Sequence, residues 1–275
     1  MKRKRITQLF PFLLPIRIWQ RKLFFYAKMY FDRNHYAKIK SQELLPFCIY
    51  ETKSNLLNEN TGFDMKYQEN KVFNLRLAAE PVNKILIGPK ETFSFYQCVR
   101  YVEKNERYKE GLCVVNGELI TVPGGGLCHL SNLLFWMFLH TPLIIIERHP
   151  HKIKDFPSPD EDEPDDVDAT VNEGWLDLKV KNNTDITFQI ELSIKEPYIY
   201  GRIFADKAIE YRYKVINRDK DFFKREGRTF ERVSVCRQKI DLKSGQIISE
   251  ELLYTDVCEV GYSLLEGTAI TEEEE

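Results

Sequence analysis

The sequence predicts an α+β fold: a buried, cysteine-bearing helix against a mainly antiparallel β-sheet, a helical basic N-terminal arm and a β-rich C-terminal extension. Three observations predict it. Leu127–Leu139 is apolar almost all round, as suits a helix buried on every side. Asn116-Gly117 lies between the apolar runs 112–115 and 118–122, the strongest hairpin signal in the chain. From Ala169 onward, strand-like runs alternate with turn residues.

The arm comes first. Ile16, Trp19, Leu23, Tyr26, Ala27 and Tyr30 recur at helical spacing within residues 16–40, with Arg17, Arg21 and Lys28 on another face. Residues 1–40 hold 11 Lys/Arg and one acid, Asp32, whereas the whole chain carries a formal charge of only −2. Overall charge thus points away from nucleic acid, while the asymmetry suits an anionic membrane surface as partner of residues 1–40. The same helix could instead dock on its own domain. The apolar stretch after MKRKR is broken by Pro11, Pro15 and Arg17 and has no small-residue cleavage site, so it does not read as a signal peptide. No run reaches the ~20 apolar residues of a membrane span. The six cysteines are scattered without a C-x-x-C pair, which suits reduced thiols and a cytoplasmic, at most membrane-peripheral, protein.

Three regions are expected: the arm over residues 1–50, a central domain over 71–205 and the extension over 206–275. Residues 51–70 are polar and read as a linker. Residues 71–122 read as short apolar segments between turns, with a strand at 82–87 ended by Gly88-Pro89. After the buried helix, Thr141-Pro142 forms a stop, and residues 143–146 form a strand leading to His149. Residues 155–168 read as an acidic surface loop. Strands follow at 175–180, 187–194 and 198–204, and further strands fill 206–262.

A set of ordered motifs runs through the centre: Phe93-Ser94-Phe95, Gly124-Gly125-Gly126-Leu127-Cys128, Glu147-Arg148-His149-Pro150-His151, Asp168-Ala169-Thr170-Val171 and Asp177–Thr184. In this order and spacing they resemble the VanW family, and the flanks around residues 5–15 and 44–51 extend the resemblance over most of the chain. The resemblance implies an accessory role in glycopeptide (vancomycin) resistance, with a peptidoglycan precursor or stem peptide as partner. His129 stands where the family usually has Gln, Lys152 where it often has Ser, and the insertion 157–167 is unusually acidic.

The triple glycine before a helix can form an anion-binding nest, so Gly124, Gly125 and Gly126 are candidates to hold an anion or oxyanion. Cys128, in the first helical turn, should then have a lowered pKa. His151 is the preferred base, with His149 as alternative, and Asp168 could orient the imidazole. Such a Cys-His-Asp set would suit a thiol hydrolase or transferase. Against it stands the frequency with which cysteine is simply buried beside an apolar helix. No cofactor or metal is expected: a Cys128/His149/His151 metal site lacks paired-ligand spacing, and residues 160–166 lack the spaced ligands of a calcium loop. The rival to an enzyme is a non-enzymatic, membrane-peripheral binding or scaffold protein.

Overall fold

Pro15 opens the first helix, α1 (Leu14–Phe31), at a position where its missing N–H costs nothing. Asp32 ends it, accepting the N–H of Asn34 at 3.0 Å and the Tyr36 hydroxyl, while Arg33 turns to φ 60°. The helix expected over 16–40 therefore stops early, because a side chain captures the backbone donor. The computed structural model describes residues 10–57, 62–115, 118–154, 164–265 and 267–272.

Strands β1 (His35–Tyr36) and β2 (Phe47–Asn55) follow, then α2 (Lys66–Val82) and β3 (Leu86–Ile87). The supposed linker 51–70 thus belongs to β2 at one end and α2 at the other, and the strand expected at 82–87 shrinks to two residues. Val72, Leu75, Ala78, Ala79 and Val82 are all buried at three- and four-residue steps. This helical period runs through the stretch that reads locally as short apolar pieces.

Next come β4 (Glu91–Ser94), α3 (Phe95–Val99), β5 (Glu110–Val115) and β6 (Glu118–Pro123). β5 and β6 pair antiparallel with Val115 opposite Glu118, as a hairpin requires, although Asn116-Gly117 lies outside the described residues. Phe93 and Phe95 are fully buried, and Ser94 between them caps α3 by accepting the N–H of Gln97 at 3.1 Å. The Ser94 hydroxyl in turn donates to buried Asp177 at 2.6 Å.

The cysteine-bearing helix is α4 (Leu127–Leu139), with the bounds the sequence predicts. β7 (Ile144–Glu147), β8 (Ile153–Lys154), β9 (Lys179–Lys181), β10 (Phe188–Lys195) and β11 (Tyr198–Ala205) complete the centre. β2, β11, β10 and β3 form an antiparallel sheet in that order, and α4 lies on it. The approach is close: a Cβ on Gly201 of β11 would collide with the sulfur of Met137. A second sheet runs β1-β4-β9-β7. The extension consists of three long antiparallel strands, β12 (Tyr211–Arg225), β13 (Arg228–Asp241) and β14 (Ile247–Val260), flanked by β8 and by β15 (Ile270–Glu272). The fold is α+β with mainly antiparallel sheets. No helix among the described residues is long and apolar enough to cross a membrane.

Candidate functional site

The glycine turn is packed tightly. Gly124 and Gly126 take φ 78° and 93°, open mainly to glycine. Gly125 lies against Gly111 of β5 so closely that a Cβ on Gly111 would sit 2.5 Å from the Gly125 oxygen. Asn74 of α2 donates to the Gly125 carbonyl at 3.0 Å and also bridges Lys109. The N–H groups of Gly124, Gly125 and Leu127 donate to Lys109, Val122 and Gly124. Those bonds hold the turn together and occupy the N–H groups of Gly124 and Gly125, two of the three donors of the expected nest.

Cys128 follows in the first turn of α4. Its thiol contacts the carbonyl of Val171, with sulfur and oxygen 3.8 Å apart. Burial pushes the thiol up to about 11, only partly offset by that hydrogen bond, and Cys113 and Asp168 raise it further. The lowered pKa expected from the helix terminus is not found, because desolvation outweighs the helix dipole here.

The strip from Asp168 to Val171 is extended but unpaired as a strand, and it links the predicted residues. Ser131 and Asn132, one turn along α4 from Cys128, bind it: Ser131 donates to the Ala169 carbonyl, and the Ala169 N–H donates to Asn132 at 2.8 Å. On the other side, the Thr170 N–H donates to the His149 carbonyl at 2.8 Å. At the near end, one Asp168 oxygen receives the backbone N–H of His151 at 2.8 Å and contacts its Nδ1. The other lies 2.7 Å from Arg148.

His151 and Asp168 are therefore brought together. His149 instead sits 3.1 Å from Glu147, which also pairs with Lys179. The two imidazoles, expected on one side of an extended chain, have separate partners because the backbone leaves β7 and turns after Glu147. Burial raises the Asp168 carboxyl, but His151 and Arg148 outweigh it and hold it below the usual range.

Arg148, whose side chain is 5% exposed, was legible in the sequence only as part of a motif. It binds Asp168, Asp256 and the Asp166 carbonyl, and its guanidinium lies 4.4 Å from the Tyr254 ring. The strand β14 is thereby tied to the site. Asp165, read as part of a solvated acidic loop, is instead buried against Lys154 and Lys220, and Asp166 is half-buried beside Lys154; residues 155–163 lie outside the described residues. Asp166, Glu231 and Cys258 each bring a ligand-type atom within 4.8 Å of the others. The Lys154 ammonium stands 2.9 Å from Glu231 and 3.9 Å from Asp166, so a lysine already supplies the positive charge there.

Two further residues, Lys71 and Tyr108, flank the glycine turn without a sequence signal beyond their polarity, and a third, Thr170, lies in the strip and its motif. Lys71 packs over Gly126 with no carboxylate at ion-pair distance among the described residues, and burial lowers its pKa to about 8. The Tyr108 hydroxyl, whose ring lies against Gly124, and the Thr170 hydroxyl are buried without hydrogen-bond partners among the described residues. His129 meets the Ser54 hydroxyl at 2.9 Å, and burial lowers it to about 4, so it stays neutral.

The sequence is 51% identical over 272 residues, 99% of both chains, to the vancomycin B-type resistance protein VanW of Enterococcus faecalis. The chain belongs to the VanW family. The family model for VanW-like proteins matches residues 70–204 of this chain, the segment that holds the glycine turn, α4 and the Asp168 strip. An uncharacterized protein of Bacillus subtilis, YoaR, is 28% identical over 162 residues, 58% of this chain and 52% of its own. No solved structure matches the chain at a significant level.

Proposed function

We propose that this chain is an accessory protein of glycopeptide resistance that binds the peptide of a cell-wall precursor where the glycine turn, the first turn of α4 and the Asp168–Val171 strip meet. The observation that carries the resistance role is 51% identity with the enterococcal protein over 99% of both chains. The site itself favours binding over thiol chemistry. A peptide offers amide groups and a terminal carboxylate. Lys71 supplies a cation with no carboxylate partner among the described residues, and Tyr108 and Thr170 supply hydroxyls with no hydrogen-bond partner among them. A neutral Cys128 with a raised pKa is a poor nucleophile but a serviceable wall of the site.

The second reading, a thiol hydrolase or transferase, draws support from the Asp168–His151 pair. With Asp168 at Nδ1, Nε2 is the nitrogen that would take the Cys128 proton while the sulfur attacks an acyl carbon; the acyl C–N or C–O bond then breaks, the imidazolium returns that proton to the departing amine or alcohol, and water releases the acyl group from sulfur. Six free thiols suit a reducing compartment such as the cytoplasm.

Calorimetric titration with a muramyl pentapeptide tests both readings. Binding that weakens about tenfold in Lys71→Ala and survives Cys128→Ser supports the binding reading. Product release that depends on Cys128 and His151 supports the thiol reading. Neither heat nor product would overturn the precursor assignment. Vancomycin susceptibility unchanged on deletion of the gene would overturn the resistance role.

A further inference from the structure

Helix α1 is attached to the body along one side only. Tyr26 and Met29 are buried, and the Tyr26 hydroxyl donates to Glu173 at 2.8 Å. Lys22 pairs with the same Glu173, and the Arg21 guanidinium stacks 3.2 Å over Trp175. The opposite side is uncovered. At about 100° per residue, Trp19, Tyr30, Leu23, Ile16, Ala27, Phe31 and Phe24 succeed one another around an arc of roughly 140°. Tyr30, Phe31, Phe24 and Trp19 are 83%, 76%, 70% and 63% exposed. Phe10 and Phe12, just before the helix, extend the apolar surface. A contiguous patch of this kind marks an interaction site.

Its borders carry positive charge. Arg17 and Lys28 follow Phe24 around the helix; at the other edge the stripe ends at buried Tyr26, beyond which Lys22 is paired with Glu173. Beyond Lys22, an open groove of about 540 Å³ runs between α1 and the residues after α3, lined by Trp19, Tyr30, Phe31, Arg100 and Tyr101 among others, none of them acidic. Arg100 is held there over the Tyr26 ring at 4.0 Å.

We propose that α1 lies in the plane of an anionic phospholipid bilayer, with the Phe24–Phe31 stripe among the acyl chains and Arg100 in the groove holding a lipid phosphate. Aromatic and aliphatic side chains rimmed by cations match the headgroup boundary of such a leaflet. A second copy of the chain fits less well, because it would set one arm with 11 Lys/Arg and one acid against another. The inference rests on α1 and its groove and is independent of what the Cys128 region binds. It also places that region near the lipid, since Glu173, held by α1, is two residues from Val171.

Co-sedimentation of the full chain with vesicles of phosphatidylcholine containing phosphatidylglycerol tests this. The chain should pellet with these vesicles, and at least about tenfold less with phosphatidylcholine alone or at raised salt. The Phe24→Ser, Phe31→Ser double variant should lose at least about tenfold in partitioning with an unchanged thermal midpoint, because both side chains face away from the core. Arg100→Ala should reduce the preference for the anionic lipid. Failure of the wild-type chain to pellet at low salt would overturn the proposal, as would undiminished binding by the double variant. So would a dimer in analytical ultracentrifugation that the same substitutions dissolve without any vesicle binding.

Discussion

Asp168 holds His151 at two points, accepting its backbone N–H at 2.8 Å and contacting Nδ1 with the same carboxylate oxygen. The other oxygen is kept for Arg148. One carboxylate thus fixes the path of the chain after β7 and the orientation of the candidate base. Its pKa is lowered, so the stability it adds is present above the unfolded value of about 3.9 and is lost as pH falls through the lower folded value. Asp168→Asn should cost about 3 kcal/mol at pH 7, the loss expected on breaking a buried ion pair. It should also flatten the acid limb of a pH-dependent urea titration. An unchanged acid limb would show that other carboxylates set it.

Asp166 behaves in the opposite sense. Its Oδ2 is buried without a partner among the described residues, and burial lifts its carboxyl to about 6. A raised carboxylate binds its proton more tightly in the folded chain, so stability should fall as pH rises from about 4 to about 6 and stay lower above that. Asp166→Asn should remove this contribution and gain on the order of 1 kcal/mol at pH 8. The substitution suits the backbone, because φ at this position is 59°, where Asn is well tolerated. Thermal midpoints of both proteins between pH 4 and 8 check it; a variant less stable than the wild type at pH 8 would mean that the carboxylate binds something there.

The thiols should rank by burial. Cys48 is exposed, whereas burial pushes Cys128 up to about 11. Iodoacetamide at pH 7.5 should modify Cys128 at least about tenfold more slowly than Cys48, with the Cys128 rate still climbing at pH 10. Peptide mass mapping over time resolves the two sites. Faster reaction at Cys128 would revive an activated thiol.

Two classes of glycine should separate cleanly. Gly111→Ala would set a methyl 2.5 Å from the Gly125 oxygen, a backbone atom that cannot swing away, and should cost about 3 kcal/mol or more. Gly227→Ala has open space around its Cβ but φ 75°, so it should cost only about 1 kcal/mol. Urea denaturation of the two variants measures the difference.

Local signals in the sequence determined those parts of the protein whose structure depends on near neighbours. The bounds of α4 follow from an apolar run opened by glycines and closed at Thr141-Pro142, and the β5–β6 pairing follows from two runs around Asn116-Gly117. The ordered motifs carry the family, and the pairing of Asp168 with His151 was within reach of residue type and order. Tertiary structure decided the rest. α2 is helical because its buried face meets α3 and α4, contacts that no local pattern announces. Lys71 and Tyr108 reach the glycine turn from distant segments. The raised pKa of Cys128 was decided by enclosure: a helix N-terminus lowers a thiol pKa when water can reach the sulfur, and the Asp168–Val171 strip folded over α4 removes that water.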